Sequence, residues 1–299
     1  MLMQKSQLSD KYKLLKKIGS GSFGEVYTVL DRKTKNIYAG KIESKSKKSR
    51  LNDEYEIYKK LEKNGIFDGI PKMITFIETN KQQILIMELL GESLDQKLEK
   101  NGGKFDIGTV LKLGIEIINL LEKIHNAGFI HRDIKPNNFL VGINEYDDKL
   151  YIMDFGLSKN YLSDDGEHIK FKNNKSLVGT ARYVSINIHM GIEPSRRDDL
   201  EAVGYMLIYF LLGKLPWQGL KKQKNQLKSI GEVKMYTDLN KPSLNIPPCF
   251  CSYINYCKKL DFDEVPNYNE IKNMFYSMAE KINVKLEYCW NILTPESEN

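Results

Sequence analysis

Apolar positions recur along this chain with two periods, and the switch between them outlines the elements. From Tyr12 to Leu30 the pattern reads as strand, turn, strand. Leu14, Leu15 and Ile18 lead into Gly19-Ser20-Gly21-Ser22-Phe23-Gly24, and the β-rich Val26-Tyr27-Thr28-Val29 follows. Ile37 to Ile42 is the next strand. The segment after it is helical, with Tyr55, Tyr58 and Leu61 on one face. Ile84 to Gly91 is a buried strand ending in a glycine. Ile107 to His125 predicts a long helix, because Val110, Leu111, Gly114, Ile117, Ile118, Leu121 and Ile124 recur at helical spacing. Leu150 to Met153 is a short buried strand. Asp198 to Leu212 is apolar on nearly every face, which predicts a buried helix, ended by Pro216-Trp217. Gly219 to Ile292 reads as further helices with loops at Pro242, Pro247-Pro248 and Pro266, and no repeat is present.

Composition narrows the class. The chain has 299 residues, 41% of them apolar, enough for one two-lobed domain or two apposed ones. The net charge of +6 slightly favours anionic ligands or acidic substrates, without the blocky charge of a nucleic-acid binder. No run approaches the ~18 apolar residues of a membrane span. Met1-Leu2-Met3-Gln4 fits neither a secretory signal nor myristoylation. Cys249, Cys251 and Cys257 lack the usual zinc spacing and any nearby histidine. With Cys289 they are expected to be reduced thiols in a cytoplasmic or nuclear protein. The basic run from Ser44 to Arg50 is short and without aromatics, hence a solvated connector.

The candidate chemistry centres on Ile130-His131-Arg132-Asp133-Ile134-Lys135-Pro136-Asn137-Asn138-Phe139. Asp133 can accept a proton from an attacking hydroxyl, Lys135 can neutralise a phosphate in transfer, and Asn138 can hold a metal on it. This is the HRDxxxxN spacing of protein kinases. Glycines at 19, 21 and 24 let backbone N–H groups approach phosphates. A strand follows them where a dinucleotide fold has a helix. Lys41 points inward from its strand and needs an anion, with Glu54 the best-placed carboxylate. An exposed strand lysine is the plainer alternative. Asp154-Phe155-Gly156 supplies a second metal carboxylate. The backbone of Met87 to Leu90 offers a donor and an acceptor to an adenine edge. Asp199 is expected to be paired with catalytic-loop backbone, since a buried carboxylate must be satisfied.

Two further stretches narrow the resemblance. Leu177 to Ile192 carries Ser185-Ile186-Asn187 where most kinases have APE. Ser195-Arg196-Arg197-Asp198-Asp199-Leu200-Glu201 and Leu215-Pro216-Trp217-Gln218-Gly219-Leu220 follow. Together they resemble the casein kinase 1 family of serine/threonine kinases, from about Lys11 to Leu293. The resemblance implies an α+β bilobal kinase fold over residues 12–293. It has a small β-rich lobe (12–87), a hinge (88–91), a larger helical lobe (92–293) and a short tail (294–299). It implies ATP and Mg²⁺ as cofactors and protein substrates with acidic or phosphorylated residues before the target Ser/Thr. It also implies a monomer acting in the cytoplasm or nucleus, with no nucleic-acid partner.

By resemblance, Asp133, Lys135 and Asn138 are catalytic, and Asn138 and Asp154 hold the metal. The nucleotide set is Ile18, Gly19, Ser20, Gly21, Ser22, Phe23, Gly24, Val26, Ala39, Lys41, Glu54, Met87 (the gatekeeper), Glu88, Leu89, Leu90, Leu140, Met153 and Asp154. Lys175, Arg182 and Lys224 form a substrate anion pocket of cations converging without a carboxylate. Gln226 stands where the family has its third lysine, although Lys222, Lys224 or Lys228 can substitute. Asn137 replaces an aspartate, and Gly40 a larger β-branched residue. Autoinhibition by a tail is not expected within this chain. A scaffold that binds without turnover usually loses one catalytic group, and none is lost here. A small-molecule kinase would not need the Gly179–Asn187 platform.

Overall fold

The computed structural model describes residues 8–20, 24–46, 49–163, 165–219 and 226–290, with side chains of the last stretch from residue 230. Along the chain run β1 (Tyr12–Ser20), β2 (Glu25–Asp31), β3 (Ile37–Ser44), α1 (Leu51–Lys63), β4 (Met73–Glu78), β5 (Gln82–Met87), α2 (Leu94–Lys100) and α3 (Ile107–Asn126). Then follow β6 (Phe129–Ile130), β7 (Phe139–Val141), β8 (Leu150–Ile152), β9 (Lys159–Asn160), α4 (Ile186–His189), α5 (Arg196–Leu212), α6 (Gln226–Tyr236), α7 (Pro248–Lys259) and α8 (Tyr268–Lys281). The class is α+β. Two compact units form: Met1–Gly91 with Leu140–Gly156, and Glu92–Phe139 with Leu157–Asn299.

The first unit is built on an antiparallel sheet in the order β1-β2-β3-β5-β4. Side chains alternate across β3. Ile42 faces a core with Tyr12, Val29, Ile84 and Ile86, while Ala39 and Lys41 share the other face. Gly40 is explained by its neighbour: a Cβ there would lie 2.5 Å from Val29 Cγ2. Val29 fills the space that a β-branched residue at 40 would need. In α1 the buried face is Leu51, Glu54, Tyr58 and Leu61. Tyr55, expected on that face, stacks instead on Phe76 at 5.0 Å. The strand read as Ile84 to Gly91 runs from Gln82 and ends at Met87. Residues 140–156 join this unit where the sequence placed them in the helical lobe. The Gly91 N–H donates to Val141 O and the Ile152 N–H to Gly69 O, each at 2.9 Å.

The second unit is helical. α3 buries most of its length, and α5 buries Leu200, Val203, Met206, Leu207, Ile208 and Phe210 together with its polar first turn. α5 packs closely on α7, since a Cβ at Gly204 would lie 2.6 Å from Ile254 Cγ1. The helix stops at Gly213, a left-handed cap at φ 74°, and not at Pro216-Trp217. Pro248 opens α7, where its missing N–H costs nothing. The four cysteines are unpaired. Among the described residues, no helix is long and apolar enough to cross a membrane.

Candidate active site

The first unit carries an ion cluster. Lys41 lies in β3 between Val26 and Leu85. Its Nζ donates to Glu54 Oε2 at 2.6 Å and Asp154 Oδ1 at 2.8 Å. The pairing with Glu54 expected from the sequence is present, and the exposed-lysine alternative is excluded: the side chain is 12% exposed. Burial works against the Lys41 charge, but Glu54 and Asp154 outweigh it and hold its pKa above the ordinary lysine value. Burial pushes Glu54 up to about 7, with Lys41 opposing. Among the described residues, Glu54 Oε1 is buried without a hydrogen-bond partner.

Asp154 sits at φ 68°, a left-handed conformation that costs a non-glycine residue about 1–2 kcal/mol. Two contacts hold it there: its N–H donates to the Tyr58 hydroxyl at 3.2 Å, and Phe155 packs edge-on against the Tyr58 ring. The other members of the expected nucleotide set fall on this unit too. Ile18, Gly19 and Ser20 end β1, and Val26, Ala39 and Met87 lie in β2, β3 and β5. Gly24 permits a close backbone approach, as a Cβ would meet Ile42 O at 2.2 Å. Glu88 gives its N–H to Lys72 O, and Leu89 and Leu90 follow. Leu140 is in β7, and Met153 follows β8. Gly21, Ser22 and Phe23 lie outside the described residues.

The second unit carries the other set. Asp133 is 5% exposed. Lys135 Nζ donates to its Oδ2 at 2.5 Å, and Thr180 Oγ1 to its Oδ1 at 2.8 Å. Asn138 Nδ2 donates to Asp133 O at 2.8 Å. Arg132 is held at φ 67° because Asp199 takes its N–H (2.8 Å) and that of His131 (2.7 Å), as expected. Burial alone would raise Asp199, but the His125 hydrogen bond and the His131 N–H hold it below the usual carboxylate range. His125 bridges Asp199 (3.0 Å) to the Tyr268 hydroxyl (2.8 Å), tying the loop to α8. Asn137, the expected departure, donates to Asp95 at 2.9 Å.

The anion pocket needs correction. Lys175 pairs with Glu193 at 3.2 Å, and Lys159 reaches the same carboxylate at 2.7 Å. The premise of cations converging without a carboxylate therefore fails at Lys175. Glu193, near in space but distant in sequence, gave no local signal. Arg182 lies over the Tyr183 and Tyr209 rings at 5.6 and 5.5 Å. Lys222 and Lys224, and the side chains of Gln226 and Lys228, lie outside the described residues. Sequence reasoning also missed the Thr180 bond to Asp133 and the roles of His125, Tyr58 and Lys234. Of these only Thr180, beside Gly179, had a positional hint.

Comparison with known families matches residues 12–277 to the protein kinase domain. The chain belongs to the protein kinase family and is a phosphotransferase, with proteins as its substrates.

Proposed function

We propose that this protein is a serine/threonine protein kinase of casein kinase 1 type. It transfers the γ-phosphate of MgATP to serine or threonine preceded by acidic or phosphorylated residues. The observation that carries the hydroxyl chemistry is the double hold on Asp133, with Lys135 on one oxygen and Thr180 on the other. It leaves the carboxylate fixed and charge-compensated, ready to align a substrate hydroxyl and take its proton. The casein kinase 1 type rests on Ser185-Ile186-Asn187 and on Ser195 to Glu201.

The residues fit a magnesium–nucleotide. Magnesium favours a few oxygen donors and keeps the rest of its shell for phosphate and water. Asp154 supplies a carboxylate. Asn138 spends its amide nitrogen on Asp133 O, which leaves the carbonyl oxygen as its metal donor. Bound magnesium supplies charge neutralisation for the transferred phosphoryl group. Lys41, fixed by Glu54, binds nucleotide phosphate, and Lys135 stabilises charge on the group in transfer. Ala39 and Met87 line the base, with the Glu88–Leu90 backbone along its edge. The remaining described nucleotide residues, Ile18, Gly19, Ser20, Gly24, Val26, Leu140 and Met153, enclose it.

Acidic or primed substrates rest on the resemblance and on Arg182, exposed beside Thr180. Lys175 contributes less, because Glu193 already matches its charge. We place the protein in the cytoplasm or nucleus, acting as a monomer. The test offers radiolabelled ATP with three peptides: one with phosphoserine three residues before the target serine, its unphosphorylated twin, and a twin with tyrosine as target. The primed serine peptide should show the highest kcat/KM and the tyrosine peptide none. Equal use of primed and unprimed peptides contradicts the substrate preference, and use of tyrosine contradicts the hydroxyl class.

A further inference from the structure

A buried lysine holds the turn after Gly179 from beneath. Lys234, in α6, is 2% exposed. Its Nζ donates to Ala181 O at 2.9 Å and Val184 O at 2.5 Å. The carbonyl between them, Arg182 O, accepts from Trp217 Nε1 at 2.8 Å. The ammonium also lies over the Trp217 ring at 5.3 Å and the Tyr205 ring at 4.9 Å, where the ring faces favour a cation. Ala181 O further meets His189 Nε2 at 3.2 Å. Two side chains from separate parts of the chain thus secure three carbonyls within four residues.

The same turn leads directly to the reacting carboxylate. The N–H groups of Tyr183 and Val184 donate to Thr180 O at 2.8 and 3.1 Å, and the Thr180 hydroxyl donates to Asp133. Gly179, at φ 92°, seats the start of the turn against the catalytic loop: a Cβ there would lie 2.4 Å from Arg132 O. A displacement of the 181–184 carbonyls therefore moves the hydroxyl that orients Asp133.

A charge is expensive in this place. Burial lowers Lys234 to about 7, opposed by Glu201 and reinforced by Lys258. A methionine of similar length would fill the space without that penalty. What it would lack is the donor for the two carbonyls, and charge-assisted hydrogen bonds of this kind are the strong ones.

We propose that Lys234 and Trp217 are positioning residues that clamp the 180–184 turn as the seat for the protein substrate beside the accepting hydroxyl. The proposal rests on the protein-kinase reading and adds the part of the molecule that fixes the peptide's register. The test uses the full chain as wild type, Lys234→Met and Trp217→Phe. Peptide and ATP kinetics are measured on each, with thermal unfolding to confirm a folded state. Both variants should raise KM for an acidic serine peptide, Lys234→Met about tenfold or more, as for a charge-assisted bond, and Trp217→Phe several-fold, as for a neutral one. KM for ATP should stay within twofold. A merely structural role would lower Tm and leave the peptide KM of the folded enzyme unchanged, and that result overturns the proposal. So does a shift of both KM values by the same factor. If Lys234→Met does not fold, Trp217→Phe decides by the same criteria: it keeps an aromatic ring while removing the N–H, and the ring volume it also loses is read separately in the Tm. A wild type that phosphorylates no peptide sinks the kinase reading and this proposal together, whereas an active wild type with unaffected variants sinks the clamp alone.

Discussion

At Asp133 both carboxylate oxygens are engaged, one by Lys135 and one by Thr180. Thr180→Val keeps the shape of the side chain and removes the hydroxyl. It should lower kcat roughly tenfold to a hundredfold, the range for losing a hydrogen bond to a charged group, and Thr180→Ser should restore most of it. Equal activity of the valine and serine variants would show that the contact does not orient the base. Asp198 offers a test through stability. Burial pushes it up to about 6, against bonds from Ser185 and the Ser195 N–H. A raised folded pKa means the folded state holds a proton that the unfolded state has released. This contribution is therefore full below about pH 4 and disappears as pH rises through 6. The advantage of wild type over Asp198→Asn should shrink by roughly 2–3 kcal/mol between pH 4 and 7 in denaturant melts. A gap independent of pH would contradict it.

Among the elements, the segment from Leu157 to Gly179 is tied down by side chains that flank it. Glu193 receives Lys159 and Lys175, and although burial works against its charge, the two lysines hold it below the usual carboxylate range. Arg132 Nε donates to Leu157 O at 2.6 Å, and Arg196 reaches the Tyr161 hydroxyl at 3.3 Å. A carboxylate thus already stands against lysines that elsewhere would call for a phosphate. Phosphatase-treated protein should keep its activity, measured as transfer to casein. Loss of most activity, restored by an upstream kinase, would contradict this. The sequence showed these elements unevenly. α3 and α5 were legible because uninterrupted apolar periodicity leaves few alternatives, and Lys41, Glu54 and Asp199 were legible because a buried charge demands a partner. The end of α5 at Gly213, the Tyr55–Phe76 stack and the Glu193 bridge were not legible. Each depends on which residues meet in space, and local pattern carries no record of that. The Val29–Gly40 exchange of volume is of the same kind: Gly40 looked like a departure until its neighbour filled the gap.

For the molecule as a whole, ligand binding and catalysis can be separated. MgATP that binds the folded chain alone stabilises it by about 2.7 kcal/mol at a hundredfold excess over Kd. That predicts a rise in Tm of several degrees. Lys41→Met should abolish most of that rise, because the residue proposed to meet nucleotide phosphate is gone. An unchanged rise in that variant would remove Lys41 from the nucleotide site. The central claim is that Asp154 supplies the metal carboxylate for phosphate transfer to protein serine or threonine, and one measurement reaches it most directly. Wild type and Asp154→Asn are given radiolabelled ATP, magnesium and casein, with circular dichroism confirming that both are folded. The wild type should place label on serine and threonine. The variant should be slower by at least the ~10²–10³ that one preorganised electrostatic contact supplies. Near-normal transfer by a folded Asp154→Asn, or no transfer by the wild type, would contradict the account.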